Sequence, residues 1–251
     1  MPWEHFVLIA IAGLWAGTIN TVVGSGTLVT FPVLVTLGYP PVTATTSNAI
    51  GLISGSFTGA WGYRHELTGM KAKLIRYGIA SLLGAITGAV LLLVLPHTWF
   101  EQIVPFLIGF SVLLVVIQPW LTKRMKERRT ATESAGPLLY GLIFAVGIYG
   151  GYFTAAQGIM LVAVLGLFLS DPLQRLNGIK NVLAAIVNLV AGVLYAFLAP
   201  VNWWIVLTIA LSSIVGGLLG AKFGRKLPPM ALRGLIVVIG VAAIVYMVFF
   251  Q

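Results

Sequence analysis

The 251-residue chain contains no cysteine, six acidic residues and three histidines. The lack of cysteine excludes disulfides, thiolate metal sites and a cysteine nucleophile. The histidines are far apart in the sequence, and every acid lies at the end of an apolar segment or between segments. We therefore expect no metal, no cofactor, no enzymatic activity and no cation pump that depends on a buried carboxylate.

Charge is scarce as well, since 8% of the residues are charged and 59% are hydrophobic. Soluble domains carry about 25% charged residues, so this composition predicts a protein surrounded by membrane lipid. The net charge of +9 does not indicate nucleic acid, because nearly all basic residues lie in short stretches between apolar segments. The first apolar stretch follows Glu4 and His5 rather than a basic region, so we do not interpret it as a cleaved signal peptide.

Ten apolar segments alternate with short polar stretches, which predicts an all-α polytopic membrane protein. The segments are Phe6–Val23, Thr27–Leu37, Val42–Tyr63, Leu74–Leu95, Trp99–Leu121, Pro137–Gly151, Ile159–Leu169, Ile179–Ala199, Trp203–Ala221 and Met230–Phe250. The second and seventh have only 11 residues each. At about 1.5 Å per residue they are too short to cross a bilayer alone. We predict that each forms a broken, re-entrant-like pair with the segment before it, meeting at membrane depth.

The positions of glycine, proline and asparagine occur twice along the chain. Gly26-Thr27-Leu28 aligns with Gly158-Ile159-Met160, 132 residues later, and Asn48 aligns with Asn181 after a slip of one residue. Matching interruptions in a duplicated membrane protein are typical of secondary transporters. We therefore divide the chain into a first repeat (1–121), a basic linker (122–136) and a second repeat (137–251).

The distribution of Lys and Arg predicts the orientation in the membrane. Basic residues cluster at 64–76, at 122–136 and at 222–226, whereas the turns at 96–98 and 199–202 have no Lys or Arg. The excess of basic residues in cytoplasmic loops places these clusters in the cytoplasm and both termini outside. Each half contains five segments, an odd number, so we predict a five-plus-five repeat in which the halves have opposite topology.

Glycines at a spacing of four, such as Gly84/Gly88 and Gly216/Gly220, indicate close helix packing. The glycines at the two breaks have a second interpretation. A helix that begins at membrane depth presents unpaired N–H groups and the positive end of its dipole, and this arrangement binds anions. The alternative is a kinked helix whose backbone is satisfied by its neighbours.

Polar residues near the breaks complete the predicted substrate site. They could face a pathway, or the hydroxyls could bond to carbonyls of their own helices. The predicted site consists of Asn20, Gly24, Ser25, Gly26, Thr27, Ser47 and Asn48 in the first half and Gln157, Gly158, Asn177, Lys180 and Asn181 in the second. For Lys180 two roles are open: a lysine that extends to the membrane interface, or a counter-charge for an anion.

These motifs resemble the sulfite exporter TauE/SafE family of membrane permeases over nearly the whole chain. The resemblance rests on Ala16–Asn20, Gly24–Leu28, Phe31-Pro32, Leu37–Pro41, Ser47-Asn48, Gly59–Arg64, Tyr149–Phe153, Ala155–Gly158, Leu176–Asn181 and Gly220–Pro229. Thr154 departs from the family pattern, in which glycine is frequent at this place, and could narrow the cavity. The resemblance implies transport of small anions, typically sulfur oxyanions or organosulfonates, across the bacterial inner membrane.

We therefore expect an inner-membrane secondary transporter of small anions that works by alternating access. The alternatives are an anion channel or passive pore, a permease for non-sulfur organic acids, and a scaffold that binds partners through the basic linker. The sequence leaves open the exact substrate, the direction of transport, a coupling ion such as a proton or sodium, and a homo-oligomer.

Overall fold

The computed structural model describes residues 2–127, 136–224 and 229–250, and all regular structure in these ranges is helical. A 3₁₀ turn at Arg64–Leu67 accompanies ten α-helices. The helices are α1 (Trp3–Val22), α2 (Thr27–Thr36), α3 (Pro41–Gly62), α4 (Lys71–Val94), α5 (His97–Glu127), α6 (Pro137–Tyr152), α7 (Gln157–Phe168), α8 (Leu173–Leu198), α9 (Trp203–Phe223) and α10 (Pro229–Phe250).

Each apolar segment corresponds to one of these helices, which confirms the all-α fold. Several helices are longer than their apolar segments, because a helix can continue through polar residues. α4 begins at Lys71, α8 begins at Leu173 and α5 continues to Glu127, into the predicted linker. Residues 128–135 of that linker lie outside the described residues, as do Arg225 and Lys226 of the third basic cluster.

Six of the described helices are long and apolar enough to cross a membrane, so the protein is a multi-pass membrane protein. Their spanning portions are Trp3–Val22, Lys71–Val94, His97–Arg124, Leu173–Leu198, Trp203–Phe223 and Met230–Met247. The α3 helix has 22 residues, about 33 Å at 1.5 Å per residue. It is less apolar than these six because it carries a run of threonine, serine and asparagine at residues 45–48.

Helices of the first predicted repeat contact helices of the second predicted repeat in matching pairs. α1 packs against α9 and α4 against α6, α3 packs against α8 and α9, and α5 packs against α10. The short helices follow the same scheme, since α2 lies against α10 and α7 against α5. If α1–α5 are exchanged with α6–α10, the pairs α3–α8 and α5–α10 are converted into themselves and the others into observed pairs, such as α3–α9 into α8–α4. This pattern is compatible with the predicted repeat.

Glycines allow the closest of these contacts. A Cβ atom on Gly84 of α4 would lie 2.2 Å from the Phe144 carbonyl oxygen of α6, and one on Gly216 of α9 would lie 2.1 Å from the Leu14 oxygen of α1. Gly84 and Gly216 occupy equivalent positions in the sequence repeat. Their backbones approach so closely because lipid provides no hydrophobic drive for helix association, and small residues permit packing instead.

Candidate functional site at two helix breaks

Both predicted helix breaks are present. α1 ends at Val22 and α2 begins at Thr27, and α6 ends at Tyr152 and α7 begins at Gln157. The short helices α2 and α7 have 10 and 12 residues. They extend only about 15 and 18 Å at 1.5 Å per residue, about half of a hydrocarbon core.

The backbone turns through left-handed conformations at both breaks. Gly24 has φ +95°, and Ala156, its equivalent 132 residues later, has φ +56°. Thr154 also has a positive φ, +69°. This conformation is strained for residues with a Cβ, and most of all for a β-branched one. Glycine at position 154 would adopt this conformation without that strain.

The two breaks contact each other through their backbones. The Gly158 N–H donates to the Gly24 carbonyl oxygen at 3.0 Å. A Cβ on Gly24 would lie 2.6 Å from the Gly158 Cα, so only glycine fits here. In this conformation the Gly158 N–H is therefore occupied, whereas the Gly26 N–H has no partner among the described residues.

Asn48 of α3 joins the first turn of α2. Its side-chain oxygen accepts from the Thr30 hydroxyl, and its Nδ2 donates to Thr27 Oγ1 at 3.1 Å. All three side chains are buried. Ser47, beside Asn48, accepts from the Asn202 backbone N–H at 2.9 Å and so connects α3 to the start of α9. The structure therefore brings Thr27 and Asn48 together and directs Ser47 to another contact.

Ser56 is a site residue that the sequence analysis missed. Its hydroxyl accepts from Asn20 Nδ2 at 3.2 Å and from Asn188 Nδ2 at 2.8 Å, which connects α1, α3 and α8. One signal could have identified it. Ser56 lies eight residues after Asn48, on the same side of α3.

Lys180 of α8 is completely buried, so it does not extend to the interface. Its Nζ donates to the carbonyl oxygens of Asn20 and Thr21, both at 2.9 Å. Asn181 adds a longer contact, with Nδ2 3.4 Å from the Thr21 oxygen. Asn177, one turn earlier on α8, is only partly buried and forms no hydrogen bond with the other predicted residues within the described chain.

Several buried polar atoms have no hydrogen-bond partner among the described residues. Two of them, Ser25 Oγ and Gln157 Nε2, lie at the breaks, and a third, Asn188 Oδ1, lies further along α8. Ser25 and Gln157 are 132 residues apart, at matching positions of the sequence repeat, just before α2 and at the start of α7. Buried polar groups are almost always paired, so these atoms are candidates for contact with a bound molecule.

The site is rich in donors and poor in negative charge. It combines the N-terminal ends of α2 and α7, the amides of Asn20, Asn48 and Gln157, and the amine of Lys180. The part of the chain that the structure describes has no group of three or more His, Asp or Glu side chains that could hold a metal. Positive helix ends and amide donors stabilise negative charge, so this arrangement suits a small anion.

Comparison with known proteins identifies relatives along the whole chain. The profile of the sulfite exporter TauE/SafE family matches residues 9–247. The probable membrane transporter YfcA of Escherichia coli K12 is 26% identical over 88% of this chain and 79% of its own length. A probable membrane transporter of Haemophilus influenzae is 23% identical over 99% and 96%, and YunE of Bacillus subtilis, another probable transporter, is 25% identical over 94% and 96%.

Proposed function

Because the chain belongs to the sulfite exporter TauE/SafE family of membrane transporters, we propose that it is an inner-membrane secondary transporter of small anions. Sulfite, organosulfonates or related sulfur oxyanions are the proposed substrates. The sulfur chemistry derives from the family description alone, since the donors at the breaks suit any small anion.

One observation carries the proposal. Ser25, just before α2, and Gln157, at the start of α7, have buried polar atoms without a partner among the described residues. They lie at positive helix ends, near Lys180 and near the Gly26 N–H, which has no partner in the same part of the chain. A bound anion would satisfy these donors together, whereas a merely kinked helix would have its polar groups satisfied by neighbouring side chains.

We propose alternating access as the mechanism. The Gly24–Gly158 contact represents a closed arrangement in which the two breaks meet and most of the site residues are buried. Separation of the breaks would free the Gly158 N–H, so that both helix ends could hold the anion. Two inverted halves that rock about this midplane site would expose it to one side of the membrane at a time.

The proposed orientation follows from the loop charges. The basic stretches 64–76, 122–136 and 222–226 would lie in the cytoplasm and both termini outside. Positive charge at the cytoplasmic face would raise the local concentration of the anion to be exported.

Counterflow in proteoliposomes tests the function and identifies the substrate class. Vesicles loaded with unlabelled sulfite, thiosulfate, a sulfonate or a carboxylate are mixed with the labelled anion outside. A carrier predicts saturable, transient accumulation for one class of anion. Unsaturable, ohmic flux would support the alternative of a channel or passive pore, and preference for carboxylates would support a non-sulfur organic acid permease.

A further inference from the structure

The amine of Lys180 occupies a carbonyl site that the first helix break creates. In an unbroken helix the oxygens of Asn20 and Thr21 would accept from the N–H groups four residues later, on Gly24 and Ser25. The break redirects the Gly24 N–H to the Ile19 oxygen at 3.0 Å. Lys180 Nζ takes the vacated positions, at 2.9 Å from each oxygen.

The two carbonyl oxygens around this amine carry partial negative charge, which attracts a cation. The C-terminal end of α1 carries partial negative charge from its unpaired carbonyls. No carboxylate among the described residues forms an ion pair with Lys180, and the amine bonds to the two carbonyl oxygens. The lysine itself is 0% exposed.

Among the described residues, no Lys or Arg side chain bonds to a carbonyl oxygen at the second break. Near the end of α6, the Gly151 carbonyl oxygen accepts from the hydroxyl of Tyr195, a neutral donor. The two halves therefore end their first helices differently, although their breaks are alike in backbone conformation. Lys180 also borders the second break, because a Cβ on Gly158 would lie 3.0 Å from the lysine Cδ.

In carriers with discontinuous helices, unwound carbonyls and helix C-terminal ends commonly bind the coupling Na⁺. We propose that Lys180 is a tethered cation that takes the place of a coupling sodium ion at the end of α1. Anion exchange then requires no external sodium, and loss of the lysine amine leaves an empty cation site. The predicted independence from sodium rests on the proposed anion transport. The cation site at the end of α1 does not.

The test compares Lys180→Ala with wild type and with Lys71→Ala, a control that removes an exposed lysine at the start of α4. Thermal unfolding of purified protein is measured in sodium chloride, propylammonium chloride and choline chloride of equal concentration. We expect Lys180→Ala to unfold at a lower temperature in choline. Sodium or propylammonium should restore its stability in a saturable way, with no such effect on the other two proteins.

Counterflow of the transported anion provides the second readout. We expect wild type to exchange the anion at equal rates in sodium and in choline. The rate of counterflow by Lys180→Ala should be about tenfold lower in choline, which corresponds to one weakened cation interaction. Sodium or propylammonium, whichever restores the stability of Lys180→Ala, should also restore most of its counterflow rate. A wild type that requires sodium, or a Lys180→Ala variant that neither cation stabilises more than choline does, would overturn the inference.

The two proposals fail in different ways. If wild type exchanges no anion of the panel, the proposed function is wrong, and the unfolding measurements still decide whether the end of α1 is a cation site. If Lys180→Ala does not fold, Lys180→Arg retains the charge on a bulkier head. If the inference is correct, Lys180→Arg should fold without added sodium. A requirement of this variant for sodium would contradict the inference.

Discussion

Two glycines, one from each half, determine how closely the helix breaks approach. Gly24 combines a left-handed backbone with direct contact to Gly158. Either feature alone disfavours a side chain, but only the contact concerns the site. The effect of backbone strain can be separated from the effect of the contact by comparison with a glycine that has a positive φ but no close neighbour.

Gly38 is that glycine, because it has φ +83° and no neighbouring atom within 4 Å of an added Cβ. Gly38→Ala should lower the free energy of unfolding by about 1 kcal/mol, the cost of a left-handed alanine. Gly24→Ala should cost more and should also abolish counterflow, since the breaks can no longer meet. Measurements of thermal unfolding and counterflow on both variants check this, and normal transport by Gly24→Ala would contradict the proposed closed state.

Thr154 should be a place where substitution stabilises the protein. A β-branched residue at φ +69° is strained, and glycine removes about 1 kcal/mol of that strain. Thr87→Gly, the same change in the exposed middle of α4, should instead destabilise by about a few tenths of a kcal/mol. Opposite shifts in the unfolding temperature confirm the prediction, and destabilisation by both changes would refute it.

Asn48→Ala should reduce transport while the protein remains folded in the membrane. It removes the amide that holds Thr27 and Thr30 at the start of α2. The matched control is Asn202→Ala, which removes the cap of α9 and should cost about 1 kcal/mol of stability without loss of counterflow. Wild-type flux in both Asn48→Ala and Asn181→Ala would remove these amides from the site.

At the scale of helices, the interfaces α1–α9 and α4–α6 hold the two halves together. Both use glycines at equivalent positions, and the α4–α6 interface has no room for a side chain at Gly88, where a Cβ would lie 2.0 Å from the Ile148 oxygen. Close packing of this kind is the main source of helix association in lipid. The interfaces should therefore tolerate substitution much less than lipid-facing surfaces do.

Gly88→Val should prevent stable folding by separating α4 from α6. Gly234→Val in α10 is the control, because a Cβ there meets no atom within 4 Å. The yield of monodisperse protein in detergent and its unfolding temperature are the measurements. Equal behaviour of the two variants would show that the α4–α6 contact does not determine stability.

The sequence predicts helices better than it predicts their contacts. Segment order, the two short helices and both breaks follow from hydropathy and the repeat, since these features are local. The starts of α4 and α8 were misplaced because their first turns are polar and hydropathy does not register them. The partners of Lys180 lie about 160 residues away in the sequence, in α1, and no local pattern encodes that contact.

At the scale of the molecule, the exchange of halves in the helix contacts agrees with the sequence repeat. The main contact pairs of α1–α5 have their equivalents after exchange, whereas the smaller α3–α5 contact has no comparable α8–α10 contact among the described residues. Opposite orientation of the halves, and the side of the membrane that each loop faces, remain predictions from charge. The orientation can be tested by labelling single introduced cysteines, because the chain has no cysteine of its own.

Single cysteines at two exposed positions determine the orientation. Thr68→Cys lies in the first basic stretch, and Thr98→Cys lies at the start of α5 beside a turn without Lys or Arg. In intact cells with permeabilised outer membranes, an impermeant maleimide should label the cysteine at 98 and leave that at 68 unlabelled until the inner membrane is opened. The reverse pattern would invert the predicted topology.

The most direct test of the account is whether a negative charge placed in the site prevents anion transport. Gln157→Glu places a carboxylate where we propose that an anion binds, with almost no change in shape, and Asn202→Asp makes the same kind of change at the cap of α9. We predict that, at mildly alkaline pH, Gln157→Glu loses anion counterflow while Asn202→Asp retains it. Unchanged anion exchange by folded Gln157→Glu would contradict the proposal that the two helix breaks hold an anion.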